Sequence, residues 1–452
     1  MYFYGTERKT DNGNSCLSKI KSFIKEHPII FYSIIAGIVI VLVVIIVLCV
    51  VLTKKDKEEE TETEEEIKIY PLEESLKSKV MEIYNNIGNK DKGTLAQFSS
   101  YLSEKASKLK EEQKVYLAYY WIVKNIKYDH TGRAAGTVEY EPANAFTKRT
   151  TVCSGYSRLF KALLLAMNYT ESKILNIQGY SKGEGYSPFN EPKSDHEWNA
   201  VEINGKWCLI DTTWDSTLKT EYYLCTPPRC FVRDHLPDFN NSLQFLKNPI
   251  SLETFHGLIE TREAFCKYNI EIIEDKAIQN ICGKGKITVK YKTEKESGRT
   301  FLEVSPLVPV RSPANFVTRI DNGFNIDISV NEEGISRFVL LFNNSAIGTI
   351  NFKCDKEPKE KFYYPIIFVP YSTSDAELIT PIQRNLIRGQ KYNFEIRTKE
   401  FDELYIYKRT GNAKMTKQGD VFKAENIDAQ GNTMSIQANI EDCLLSFYVV
   451  DA

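Results

Sequence analysis

The chain is short of histidine and has no Cys-x-x-Cys pair: five histidines and ten cysteines stand in 452 residues. The missing pair removes the usual zinc-finger and dithiol-redox signatures. Ten cysteines at this length are also sparse for a disulfide scaffold. Eight lie beyond residue 52, and with Cys153 set aside as a free thiol the remaining seven cannot all pair internally. A secreted disulfide framework is therefore not expected. An excess of charge of either sign is lacking too. With 58 basic and 60 acidic side chains the formal net charge is −2, so no global field points to nucleic acid or to an acidic substrate. No acidic loop has calcium-binding spacing. The sequence thus implies no cofactor, no metal and no nucleic-acid partner, and it leaves the oligomeric state open.

What is present begins with an apolar run. Ile29 to Leu52 carries no charge and is mostly Ile, Val and Leu. As a helix it would span about 36 Å, enough to cross a bilayer core of about 30 Å. A polar lead precedes it and no small-x-small cleavage site follows, which argues for a retained anchor over a cleaved signal peptide. Arg8, Lys9, Lys19, Lys21 and Lys25 precede the span; Lys54, Lys55, Lys57 and Lys68 follow it. This slight bias places the N-terminus in the cytosol and makes the chain a single-pass, type II membrane protein. Asn168, Asn240 and Asn343 begin N-x-S/T sequons that would be usable on the far side. Lys54 to Glu66 is charged and without an apolar residue, so it reads as a solvated tether.

Ordered structure is expected from about Tyr70. Leu72, Leu76, Val80 and Ile83 recur at helical spacing, as do Val115, Ala118, Ile122 and Ile126. A third helix is predicted from Cys153 through Met167. From about residue 174 strands take over. His196-Glu-Trp-Asn-Ala-Val-Glu-Ile203 and Lys206-Trp-Cys-Leu-Ile-Asp211 flank Asn204-Gly205, a strong two-residue hairpin signal. Such a turn pairs Ile203 with Lys206. It sets Trp198 opposite Asp211 and His196 opposite Thr213, leaving His196 and Asp211 as diagonal neighbours about 7–8 Å apart at Cα. Beyond about residue 260, short strands over two spans predict two β-sandwich modules, divided near the polar stretch Asp355–Lys361. The organisation is then an N-terminal tail (1–28), an anchor (29–52), a charged linker (53–69), an α+β domain (70–260) and β modules at 261–360 and 361–452.

Three residues stand out as chemistry. Cys153, in Thr151-Val-Cys-Ser-Gly-Tyr-Ser157, lies where a helix begins, so backbone N–H groups and the helix dipole favour a thiolate and a developing oxyanion. His196 suits a base that later acts as acid, and Asp211 suits the carboxylate that fixes its tautomer. A lone cysteine is ordinarily a small buried hydrophobe, and only this combination argues otherwise. His27, His130, His235 and His256 have no comparable setting and read as structural or exposed. Spacing offers no other histidine or cysteine as a metal partner of His196.

The blocks Trp121-Ile-Val-Lys-Asn-Ile-Lys-Tyr-Asp129, Val152-Cys-Ser-Gly-Tyr-Ser157, His196-Glu-Trp-Asn-Ala-Val201 and Asp211-Thr-Thr-Trp214 stand in the order of the transglutaminase-like superfamily. Within it the chain resembles the kyphoscoliosis-peptidase branch, well over residues 70–260 and more loosely in the β modules. The resemblance implies a papain-like transglutaminase core followed by immunoglobulin-like modules. It also implies roles for Cys153 as nucleophile, His196 as acid/base and Asp211 as orienting carboxylate. The implied function is a membrane-anchored cysteine enzyme acting on amide bonds of a protein or peptide, by hydrolysis or glutamine acyl transfer through a thioester. Members of this branch also serve as scaffolds, so a non-catalytic membrane-tethered protein of cytoskeletal or surface assembly is the alternative.

Overall fold

The three helical patterns become helices whose ends follow local capping. The computed structural model describes residues 74–183, 185–291, 302–306, 315–320, 322–438 and 442–452. The tail, the anchor at 29–52 and the linker lie outside the described residues. Among the described residues no helix is long and apolar enough to cross a membrane. Helix α1 spans Glu74–Asn85, α2 Leu95–Lys105 and α3 Glu111–Asn125. At the start of α2, Thr94 and Gln97 form a reciprocal capping box. Strand β1 (Lys127–Tyr128) follows, then α4 (His130–Ala135), α5 (Pro142–Lys148), β2 (Thr150–Thr151) and α6 (Cys153–Ala166). Strands β1 and β2 pair in parallel, with Tyr128 opposite Thr151. This pairing holds Tyr128 beside the segment that launches α6.

The sheet behind α6 is antiparallel, in the order β6-β5-β4-β3-β7. Its members are β3 (Ile174–Ser181), β4 (Ser194–Ile203), β5 (Lys206–Ile210), β6 (Leu224–Thr226) and β7 (His235–Pro237). Helix α7 (Thr212–Leu218) follows β5, and α8 (Pro228–Phe231) follows β6. Both sheet faces are covered, which period-2 alternation records. Val201, Ile203, Cys208 and Ile210 join the helical core with Leu163 and Trp121, whereas Trp198, Ala200 and Leu209 join Tyr223 and Phe231 on the other side. Asn204 and Gly205 take φ of 51° and 83°, and the hairpin pairs Ile203 with Lys206 through to Asn199 with Ile210 as predicted. Pairing stops there because the chain turns into α7 after Ile210. The expected oppositions of Trp198 with Asp211 and His196 with Thr213 are therefore not formed.

The cysteine expectation is corrected. Cys208–Cys225, Cys230–Cys266 and Cys282–Cys354 are disulfides, while Cys153 and Cys443 are free. Odd parity ruled out complete pairing only; it did not rule out three bridges with Cys443 left over. Cys208–Cys225 joins β5 to β6 in the site's own sheet. Cys230–Cys266 ties α8 to the segment that opens the β-rich half.

Beyond residue 259 the chain forms two pairs of sheets. In the first pair, one sheet runs Asn315–Ile320, Gly323–Val330, Gly283–Tyr291 and Ile270–Ile272. The other runs Ile278–Asn280, Ser345–Cys354, Gly334–Phe342 and Leu302–Pro306. Ile287, Ile326, Leu340 and Ile350 fill the apolar cluster that the two sheets share. In the second pair, Phe394, Ile406, Phe422 and Phe447 do the same.

Candidate functional site

Cys153 is the first residue of α6, and Val152 caps the helix without a side-chain hydrogen bond. The first N–H groups of a helix have no partner within it. The α6 N-terminus can approach β2 closely because residue 155 is glycine: a Cβ there would lie 1.8 Å from Thr151 Oγ1. Cys153 is 7% exposed, and its Sγ lies 3.8 Å from the Asp195 carbonyl oxygen. That carbonyl is available because β4 bulges. Gly179 pairs with His196 and Tyr180 with Ser194, leaving Asp195 without a partner on β3. A bulge re-aims neighbouring groups, and here it falls beside His196.

Asp211 lies one residue past β5 and is the N-cap of α7. Its Oδ1 accepts from the N–H groups of Thr213 (2.8 Å) and Trp214 (3.1 Å). Its Oδ2 lies 2.7 Å from His196 Nε2. The structure thus joins His196 and Asp211 directly, and the Cys153 thiol lies against the carbonyl of Asp195, the residue before His196. All three predicted residues come together. His196 and Asp211 are 6% and 1% exposed. Burial alone would lower the His196 pKa; the Asp211 carboxylate, by charge and hydrogen bond, overrides this, and Cys153 adds to it, lifting the value to about 10. Burial alone would raise Asp211; the His196 charge and the hydrogen bonds from His196 and His235 instead hold it well below the usual carboxylate range.

His235 is the member that sequence reasoning missed, and its assignment as a histidine without a comparable setting is corrected. Its Nε2 lies 3.0 Å from the same Asp211 Oδ2, and its Nδ1 lies 2.6 Å from Asp234 Oδ1. It is 1% exposed, with the rings of Phe231, Trp214, Trp198 and Tyr223 packed about it. Strand β7 brings it in by pairing with β3, Tyr180 opposite Leu236. This approach requires glycine at 179, where a Cβ would meet the Leu236 carbonyl oxygen at 2.1 Å. The only local hint was the Asp234-His235 dipeptide in an apolar context. Of the others, the His130 ring contacts Tyr128 and His256 meets Tyr186, while His27 lies outside the described residues.

The spacing argument against a metal also needs revision, since His196, Asp211 and His235 bring three donor atoms within 4.8 Å of one another. Ligands about a tetrahedral zinc stand roughly 3.3 Å apart, given Zn–N bonds of about 2.0–2.1 Å. Here both imidazole nitrogens contact one carboxylate oxygen at 2.7 and 3.0 Å, which are hydrogen-bond distances that close the centre. The donor set fits a proton-holding network better than an ion. On the solvent side, Arg133 bonds the Tyr128 hydroxyl at 2.5 Å and the Asp195 carboxylate at 3.2 Å, forming a polar lip beside Cys153.

Residues 95–229 match the family model of a transglutaminase-like domain. Kyphoscoliosis peptidase from Mus musculus is 29% identical over 244 residues, covering 50% of this chain and 35% of that protein. The Homo sapiens protein of the same name is 30% identical over 214 residues, covering 42% and 32%. Hillarin of Drosophila melanogaster is 29% identical over 144 residues, covering 26% and 17%. The matches span about a third of the kyphoscoliosis peptidases' own length. The site lies mostly inside the matched segment, with His235 just beyond it, and over that segment the chain is similar to a transglutaminase-like domain, with kyphoscoliosis peptidases among its relatives.

Proposed function

We propose that the domain is a thiol acyl-transfer centre acting on amide bonds of proteins or peptides, with Cys153 as nucleophile, His196 as acid/base and Asp211 as orienting carboxylate. The observation that carries this reading is the buried His196–Asp211 pair beside a helix-N-terminal thiol that reaches the carbonyl of the residue preceding His196. The Cys153 thiolate attacks the amide carbonyl carbon, and charge develops on the carbonyl oxygen toward the Cys153 N–H. The His196 imidazolium gives its proton to the leaving nitrogen as the C–N bond breaks, leaving a thioester and a free amine or ammonia. An incoming water or amine then loses its proton to His196 and releases the acyl group from sulfur. Asp211 keeps the proton-bearing nitrogen aimed at itself throughout, so the other nitrogen faces the chemistry.

We further propose that residues 29–52 anchor the chain in a membrane with the N-terminus cytosolic. Six paired cysteines suit an oxidising compartment for the large C-terminal part. The two pairs of sheets are read as immunoglobulin-like modules that present or bind a protein partner. The test compares wild type with Cys153→Ala on glutamine-containing peptides, following ammonia release, amine incorporation and chain cleavage. Loss of all product in the variant, with unchanged melting, supports the assignment and identifies the acyl acceptor. Full retention of product in the variant sinks it.

A further inference from the structure

We propose that His235 is a positioning residue of this site: by bridging Asp211 and Asp234 it fixes the carboxylate against which His196 turns, a fourth member behind the Cys153–His196–Asp211 line. The inference rests on the thiol acyl-transfer reading and extends it to a residue 24 positions beyond Asp211.

Donor–acceptor accounting makes the case. A buried histidine kept only for packing needs one acceptor for its N–H and one donor for its bare nitrogen. Both ring nitrogens of His235 instead face carboxylate oxygens, at 3.0 Å on Asp211 and 2.6 Å on Asp234. The arrangement is satisfied when both nitrogens carry protons, giving a cation between two buried anions. Its surroundings suit one, since the Phe231 and Trp214 rings lie 4.2 and 4.4 Å away between centroids. The bridge also closes a ring. The Asp211 N–H donates to the Tyr223 carbonyl at 3.0 Å, and the Tyr223 hydroxyl donates to Asp234 Oδ2 at 2.7 Å. Asp234 leads through His235 back to Asp211. With Oδ1 held by the α7 N–H groups and Oδ2 by two imidazoles, the Asp211 carboxylate has one available orientation.

The two ends of the bridge can be separated by substitution. A glutamine amide nitrogen falls near the histidine Nε2 position and keeps the donor to Asp211. An asparagine amide falls near Nδ1 and keeps only the donor to Asp234. The experiment measures iodoacetamide labelling of Cys153 in the full-length chain in detergent, from pH 5 to 9, peptide by peptide, with Cys443 as reference thiol. Folding is checked by thermal melting. If wild-type Cys153 labels no faster than Cys443 at pH 6, the acyl-transfer reading itself fails. Given an activated wild type, His235→Asn should lose about tenfold or more of the low-pH advantage, while His235→Gln stays within about threefold. Equal retention in both variants overturns the proposal, because packing then suffices; equal loss overturns it too, because the Asp211 contact is then not what matters. Should the variants fail to fold, 15N-histidine spectra of wild type decide. A slowly exchanging proton on His235 Nε2 supports the bridge, and a bare Nε2 overturns it.

Discussion

Asp211 has two tasks, and they separate by oxygen. Oδ1 caps α7, and Oδ2 receives the two imidazoles. Asp211→Asn can keep the capping oxygen while turning an amide donor toward His196 and His235. The expected result is a loss of about 10²–10⁴-fold in turnover, from the misdirected tautomer. The expected stability loss is only about 1–3 kcal/mol, for disturbed buried hydrogen bonds. Steady-state rates and denaturant midpoints on one preparation check both. The pH dependence follows from the shifts. The His196 pKa is raised, so its stabilisation is full below about pH 6.5 and is lost as pH rises through about 10. The Asp211 pKa is depressed, so its contribution is present above about pH 4 and is lost only in strong acid. The stability difference between wild type and Asp211→Asn should therefore be largest below about pH 6.5 and shrink as pH rises toward about 10, read from paired denaturant midpoints so that the opposite contribution of Lys182 cancels. That Cys153 opens a helix and that His196 and Asp211 lie close together was legible in the sequence, because a helix start and a two-residue hairpin turn are local signals. His235 was not, because it reaches the site through β3–β7 pairing across more than fifty residues, and no spacing rule reports such a contact.

At the scale of elements, the site is built where regular pairing breaks. The β4 bulge frees the Asp195 carbonyl toward Cys153, and β5 ends at Ile210 so that Asp211 can cap α7. Strict alternation read from the sequence carried Asp211 on as a strand residue, since nothing local distinguishes the last paired residue from the first capping one. The sequence reading also missed the brace beside this break. Cys208–Cys225 joins β5 to β6 across a separation of 17, close to where the Asp211 N–H meets the Tyr223 carbonyl. Closing a loop of that size is worth roughly 3 kcal/mol. The double substitution Cys208→Ser, Cys225→Ser should lower unfolding free energy by about that amount. It should also slow Cys153 alkylation severalfold, since the β5–α7 junction loses its lateral support. Equal alkylation rates, measured on folded protein, would show that the brace stabilises the sheet without serving the site.

On the scale of the whole molecule, the transglutaminase-like domain and the first pair of sheets meet through the residues next to His235. Arg233 forms an ion pair with Asp275, with one guanidinium nitrogen 3.1 Å from Asp275 Oδ1, and bonds the Ile259 carbonyl at 3.1 Å. Lys182, 2% exposed, donates to the Leu258 carbonyl at 2.7 Å, and Cys230–Cys266 locks the same seam. Burial, with Arg233 adding to it, pulls the Lys182 pKa down to about 7, so this contact weakens as pH rises through neutrality. Arg233, Asp234 and His235 are consecutive, so the seam and the histidine bridge share one short stretch of backbone. Asp275→Asn removes the charge that holds Arg233 while keeping side-chain volume. Because Asp275 is only partly buried, it should cost about 1.5–3 kcal/mol, as losing hydrogen bonds to a charged group does, and slow Cys153 alkylation about three- to tenfold. The second pair of sheets supplies the control. Tyr371 packs with Phe316 in the outer cluster, away from the seam, and Tyr371→Ala should cost at least as much for a lost buried ring. If the seam buttresses the site, Asp275→Asn changes thiol reactivity and Tyr371→Ala does not. Parallel effects in both variants would mean that the site responds to global stability alone.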